Sequence, residues 1–310
     1  MTRAELVAAA RDSIARGSKS FATASTLFDP ATRERAWLLY AWCRRCDDLA
    51  DGQELGRGRV GVDDPQARLA TIRSLTDRAL AGEPTGDAAF DALGVVAAET
   101  GLPHRLAHDL VAGFALDADG FRPRSEDDLY RYCYHVAGVV GVMMAIVMGV
   151  DSNDEAVLDR ACDLGLAFQL ANIARDLSED DAAGRCYLPD EWLAEIGVPP
   201  GEALRPQYRE RLAMLGRRLA RKAAAYEVSA RYGTPALPFR SAWAVLAAAG
   251  IYGDIAREVA RRGTHAWDRR VVVSKAAKLR WIAKAGWQAA RRQTLWSGAA
   301  SRDGLWTRPR

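Results

Sequence analysis

Between Arg35 and Asp51 the chain reads RAWLLYAWCRRCDDLAD, with Tyr40, Arg44, Asp47 and Asp51 at offsets 0, 4, 7 and 11. At 3.6 residues per turn these four share one helix face. Asp48 sits beside them, and much of the remaining helix is Trp37, Leu38, Leu39, Trp42, Cys43 and Leu49. The segment LGLAFQLANIARDLSEDD (Leu164–Asp181) repeats the device, with Gln169, Asn172, Asp176 and Asp180 at offsets 0, 3, 7 and 11 and Arg175 adjacent. Between them stand Leu166, Phe168, Leu170, Ile173 and Leu177. A helix that is apolar except for one narrow polar line belongs in an interior, with that line on a cavity.

Carboxylates in an interior are costly unless something neutralises them. The pairs Asp47/Asp51 and Asp176/Asp180 are each i, i+4, so their oxygens can converge. Facing pairs would form an oxygen-only, strongly negative site. Such a site selects a hard cation, Mg²⁺ above all, held by a few carboxylates with positions left for water and phosphate oxygens. Arg44 and Arg175 would hold the same phosphates through charge-assisted hydrogen bonds. One stripe alone reads equally as a solvated helix face; two stripes of matching spacing favour the site.

The elements that must carry these residues are helical nearly throughout. Apolar residues recur at three- and four-residue spacing, and alternating β-branched runs are almost absent. The pattern predicts helices over 2–15, 30–51, 64–81, 88–100, 103–116, 125–149, 153–178, 206–231, 238–262 and 274–294, punctuated by Gly and Pro. Gly52–Gly61 reads as a mobile loop. With 310 residues, 49% hydrophobic and 27% charged, the chain can bury a full core in one all-α domain without disulfides. Five scattered cysteines suit a reducing cytoplasm. The longest apolar run, Val136–Val150, is shorter than a membrane span and reads as a core helix.

A net charge of +3 carries no chain-wide nucleic-acid signature. From Arg269 onward, however, eleven basic residues face a single acid, Asp303, and Trp281, Trp287, Trp296 and Trp306 are interleaved among them. That mixture suits a membrane surface or an acidic partner; the bland alternative is a solvated last helix with a frayed end.

The longer motifs resemble the squalene/phytoene synthases, and within them the bacterial phytoene synthases. YCYHVAGVVG (Tyr132–Gly141) is similar to one family signature, and LGLAFQLANIARDLSEDDAAGRCYLP (Leu164–Pro189) to the other. YAWCRRCDDLAD (Tyr40–Asp51) is similar to the first aspartate motif, and GSKSFATAS (Gly17–Ser25) fits the N-terminal segment. The similarity runs from about Ser18 to Trp267.

The resemblance implies an isoprenoid-synthase helical bundle whose aspartate motifs face across a central cavity, with residues 1–268 catalytic and 269–310 a continuous basic segment. It implies Mg²⁺- or Mn²⁺-dependent head-to-head condensation of two geranylgeranyl diphosphates to a C40 hydrocarbon in carotenoid biosynthesis. Carried over by motif, Asp47, Asp51, Asp176 and Asp180 would coordinate metal, with Asp48 and Asn172 beside them. Ser18, Lys19, Ser20, Tyr40, Arg44, Gln169, Asn172, Arg175 and Tyr252 would contact diphosphate or its metal shell. Ala137, Gly138 and Gly141 would admit a prenyl chain against an adaptable wall of Met143, Met144 and Met148. No NADPH and no nucleic acid is expected. A cytoplasmic protein touching the inner membrane face, and contact with other carotenoid-pathway enzymes, remain expectations. The alternatives are a C30 synthase using farnesyl diphosphate and a non-catalytic helical scaffold docked on membranes.

Overall fold

The computed structural model describes residues 1–17, 22, 24–52, 64–298 and 300–310. Ser18, Lys19, Ser20 and most of the expected Gly52–Gly61 loop lie outside the described residues. Among the described residues there is no strand. The chain resolves into two compact units, residues 1–119 with 142–155, and residues 120–141 with 156–310.

The first unit holds α1 (Arg3–Gly17), α2 (Pro30–Asp51), α3 (Pro65–Leu80), α4 (Ala88–Thr100) and α5 (His104–Ala118). Side-chain caps start α2, α3 and α4: Asp29, Asp64 and Asp87 accept from the N–H of Thr32, Ala67 and Ala89, and Pro30 and Pro65 supply the fixed φ of a first turn. Gly52, at φ 64°, ends α2 one residue after Asp51 by returning its N–H to the Asp48 carbonyl. Trp42, Leu38, Leu39, Phe90, Leu93, Ile72 and Ile14 are fully buried, so the apolar residues of α2 are core and its polar line is what remains.

The second unit begins with α6 (Glu126–Cys133), which passes through a π turn at Tyr134–Gly138 into α7 (Val139–Val147), whose residues from Val142 onward are counted with the first unit. α8 (Glu155–Ala182), α9 (Asp190–Glu195), α10 (Arg209–Arg231), α11 (Phe239–Arg262), α12 (Lys275–Ala290) and α13 (Arg292–Leu295) follow. The sequence pattern misses the π turn and α9, and runs 274–294 together where Arg291 separates α12 from α13. The segment Glu126–Val147 is long and apolar enough to cross a membrane, yet 61% of its apolar window is buried within the protein.

Small residues let this helix lie directly on α8. A Cβ at Gly141 would collide with the Ala161 carbonyl, one at Gly165 with the Ala137 carbonyl, and one at Gly138 would stand 2.9 Å from Cys162 Sγ and Leu166 Cδ1. Gly138 and Gly141 therefore serve helix packing. Met143 and Met148 are buried.

The basic C-terminal segment is not a frayed end. Trp281 lies on Gly250 of α11 and donates from Nε1 to Asp254 Oδ2 at 2.6 Å. Trp306 donates from Nε1 to Asp127 at 2.9 Å, and its N–H reaches the Tyr226 hydroxyl at 3.1 Å. Arg302 binds Asp163 through Nη2 at 2.7 Å and Nε at 3.0 Å, while Arg308 and Arg310 reach Asp159 at 3.0 and 3.1 Å. Asp159, Asp163 and Arg308 are buried. Ser229 also donates to Asp163 and accepts from Arg160, so the Asp163 carboxylate is fully engaged. Removing one member of such a network strands the others. Asp163→Asn is expected to destabilise the protein by about 3 kcal/mol or more in urea unfolding; an unchanged midpoint would show that the strap contributes nothing.

Candidate active site

In the first unit, α2 presents Tyr40, Arg44, Asp47 and Asp51. Tyr40 places its hydroxyl against Gly17, 2.5 Å from where a Cβ would stand. That contact brings Tyr40 to the residue preceding Ser18. Arg44 binds Asp47 at 2.9 Å through Nη1 and Asp48 at 2.9 Å through Nε and 2.5 Å through Nη2. The two acids differ in surroundings. Asp48 is buried beneath Arg44, whereas the Asp47 side chain is 45% exposed. Asp48, expected among the metal ligands, thus carries the counter-charge of the arginine.

Burial raises the Asp47 carboxyl to about 6, with Asp51, Asp48 and Asp117 pushing the same way and Arg44 opposing. Burial likewise raises the Tyr40 phenol. Asp117 on α5 was missed by sequence reasoning, because nothing in its own segment marks it as a neighbour of Asp47.

In the second unit, α8 carries Gln169, Asn172, Arg175, Asp176 and Asp180 on partly open positions alternating with buried Leu166, Leu170, Ile173, Ala174 and Leu177. Arg175 grips Asp176 with two hydrogen bonds, Nε at 2.7 Å and Nη2 at 2.5 Å. Arg270 adds an ion pair to Asp176 at 2.8 Å and another to Glu179 at 3.2 Å. Burial raises the Asp180 carboxyl to about 6, assisted by Asp176 and Glu179 and opposed by Arg185 and Arg270. Tyr252 of α11 stacks on Phe168 with ring centroids 4.1 Å apart; burial raises its phenol, and Arg175 lowers it. Trp267 Nε1 donates to the Ala174 carbonyl at 2.9 Å, fixing the segment that delivers Arg270. Tyr132 lies between Phe121 and Tyr187, at centroid distances of 5.4 and 4.7 Å, which joins the two long signatures within this unit. Arg270, Trp267 and Phe168 were not among the expected site residues. Arg270 is read in the sequence only as part of a basic tail.

Among the described residues no three His, Cys, Asp or Glu side chains converge as a preformed metal cage. The donor chemistry still fits a divalent cation of the Mg²⁺ kind, which takes one or two carboxylates and leaves the rest to water and phosphate. Asn172 Oδ1 is buried without a hydrogen-bond partner among the described residues, an orphaned acceptor that a metal or its water would satisfy. Asp47 and Asp180 both have carboxyl groups raised to about 6, first by burial.

A model of the family described as squalene/phytoene synthase matches residues 14–277. A phytoene synthase of Pseudescherichia vulneris is 46% identical over 311 residues, covering all of both chains. A 15-cis-phytoene synthase of a Paracoccus species is 46% identical over 98% of each chain. Among solved structures, a dehydrosqualene synthase with bound ligand superposes with a TM-score of 0.81 at 28% identity, over 91% of this chain and 96% of that one. A squalene synthase of Alicyclobacillus acidocaldarius superposes at a TM-score of 0.72 and 24% identity, over 84% and 94%, which speaks to the fold.

The raised carboxyl of Asp47 has a consequence for stability. A folded pKa above the usual 3.8 means that the native state holds its proton more tightly than the unfolded chain. Stability is then favoured at low pH and lost as pH rises through about 6. Asp47→Asn is expected to stabilise the metal-free protein at pH 7.5 by about 1 kcal/mol, a full two-unit shift discounted for solvent screening. The gain should vanish near pH 4. Urea unfolding in chelator at both pH values tests this, and a destabilised variant at pH 7.5 would overturn it.

Proposed function

Because the chain belongs to the squalene/phytoene synthase family, a family of divalent-metal-dependent isoprenoid synthases, we propose that it is a phytoene synthase acting in carotenoid biosynthesis. It joins two geranylgeranyl diphosphates head to head. What carries the reading is the 46% identity to phytoene synthases over the whole chain. The two polar stripes supply the chemistry that such a reaction needs.

In this reading the first substrate loses its diphosphate and the double bond of the second attacks the resulting allylic cation. The product is a cyclopropylcarbinyl diphosphate, which ionises in turn, rearranges and loses a proton to give the C40 hydrocarbon. Two diphosphates leave in all. Asp47 and Asp51 of the first unit, and Asn172, Asp176 and Asp180 of the second, would hold Mg²⁺ or Mn²⁺, which would supply Lewis-acid stabilisation of the departing diphosphate. Arg44 and Arg175, each already oriented by an aspartate, hold phosphate oxygens by charge-assisted hydrogen bonds. Asp48 orients the Arg44 guanidinium, as Asp176 does that of Arg175. Tyr40 and Gln169 lend further polar contacts, as does Tyr252. The Phe168–Tyr252 stack lies one residue from Gln169 and excludes water from that end of the stripe, where an allylic cation would otherwise be captured.

A second reading, a C30 synthase using farnesyl diphosphate, draws on the superposition with a dehydrosqualene synthase. Purified protein supplied with either diphosphate, Mg²⁺ or Mn²⁺ and no reductant separates the two by the mass of the extracted hydrocarbon. A C40 product from the C20 substrate, abolished by chelator, is expected. A C30 product from the C15 substrate alone would overturn the substrate assignment, and no hydrocarbon from either would overturn the activity. Asp176→Asn is expected to lower kcat by about 10²-fold or more with unchanged far-UV dichroism.

A further inference from the structure

The buried side of α12 is Trp281, Ala285, Gln288 and Ala289, which pack within the second unit. On the opposite side, Ala276, Leu279, Ala283, Trp287 and Ala290 are all exposed and follow one another at three- and four-residue intervals, forming a single apolar stripe on solvent. Leu279 is 67% exposed and Trp287 51%. Single exposed leucines are ordinary, but a stripe four turns long is a surface. Arg280, Lys284 and Arg291 border it along one edge and Lys275 along the other, all of them exposed. Arg291 lies over the Trp287 ring at 5.0 Å. Asp254 reaches Arg280 at 3.6 Å, and no acid occurs in the sequence between Arg269 and Arg302. Beyond the Lys275 edge, Trp243 lies 3.2 Å from where a Cβ on Gly286 would stand, and the exposed Phe239 ring is 5.9 Å from Trp243.

From this we infer that the outer face of α12 is a docking surface for a bilayer carrying anionic headgroups. The charge pattern selects the occupant. A second copy of this chain in a two-fold contact would oppose Arg280, Lys284 and Arg291 with their own images. A nucleic acid would use the cations and leave the apolar stripe in water. A lipid surface uses both, with Leu279 and Trp287 entering at headgroup level and the cations bordering them meeting phosphate. The surface stands on its own residues. Its purpose, proximity to where prenyl substrates and hydrocarbon product dissolve, rests on the proposed activity.

The other tryptophans of the basic segment are engaged elsewhere. Trp281 is buried, Trp306 is held by Asp127 and Tyr226, and Trp296 lies beneath Arg231. The expectation of a tail-wide anchor therefore narrows to one helix face.

The test is co-sedimentation of the full chain with vesicles of phosphatidylcholine, with and without phosphatidylglycerol, at low and high salt. Binding to the phosphatidylglycerol vesicles, weakened by salt, is expected. Leu279→Ser with Trp287→Ser should reduce it at least tenfold, as should Lys284→Glu with Arg291→Glu. Met214→Ser with Val228→Ser, which removes exposed apolar residues of α10, should leave it intact. Far-UV dichroism and turnover of detergent-dispersed substrate report that each variant is folded. Equal binding by wild type and both α12 variants, or no binding to anionic vesicles, would overturn the inference. So would equal loss in the α10 control. A dimer seen by sedimentation equilibrium and abolished by the α12 changes would replace the membrane with a second copy.

Discussion

The cost of placing ionised carboxylates on a helix packed in an apolar core governs how the second unit is built, and α8 meets that cost in two different ways. At its first turns, Asp159 and Asp163 are neutralised by the protein itself, through Arg302, Arg308, Arg310, Arg160 and Ser229. About three and four turns past the Gly165 crossing the helix carries Asp176 and Asp180, where neutralisation is partial. Arg175 and Arg270 hold Asp176, while Asp180 is left with a raised pKa. A helix whose carboxylates were all paired would have no use for a cation. One with none paired would not stay folded in this environment. Along α8 the pairing thus passes from Asp159 and Asp163, held by several partners each, to Asp180, whose carboxyl is raised to about 6 by burial and by Asp176.

The same division occurs within one turn of α2. Asp48 is buried and bound to Arg44, whereas Asp47 keeps part of its carboxylate on solvent and has its pKa raised to about 6, first by desolvation and then by Asp51, Asp48 and Asp117. Adjacent identical residues thus do different work because a step of one residue turns the side chain by about 100°. Arg44 spans both, so its guanidinium is oriented from below by one acid and touches the other at the site.

These features were unequally legible. The stripes were readable because helical periodicity is local: Tyr40, Arg44, Asp47 and Asp51 need only their own helix to share a face, and the same is true of Asn172, Asp176 and Asp180. The elements themselves were readable from apolar periodicity punctuated by Gly and Pro, as the structure bears out at Pro30 and Gly52. What periodicity cannot carry is pairing across the chain. Asp159 and Asp163 show only as polar residues in a long helix, and Arg302, Arg308 and Arg310 only as part of a basic tail, until more than a hundred residues between them are folded. Asp117 beside Asp47 and Arg270 on Asp176 escape the sequence for the same reason. The glycines of the Tyr132–Gly141 signature point the other way. Their smallness was legible, but whether it served a ligand or a neighbouring helix depended on what stood opposite, and Ala161, Cys162 and Gly165 stand there.

The C-terminal segment shows how charge counting misleads when it ignores burial. Eleven basic residues against one acid read as a single solvated or lipid-facing block. Folding sorts them. Arg302 and Arg308 are drawn in to carboxylates that water can no longer serve, Arg270 goes to Asp176, and Trp281 goes to a glycine on α11. Among the residues left outside are those on one face of α12, where Lys284 and Arg291 flank Leu279 and Trp287 and Asp254 reaches the Arg280 edge. A net positive balance over a segment is therefore the residue of a subtraction. The cations claimed by buried acids stabilise the fold, and only the remainder is available to an outside surface. It is that remainder, set beside an exposed apolar stripe, that gives α12 the character of an interface.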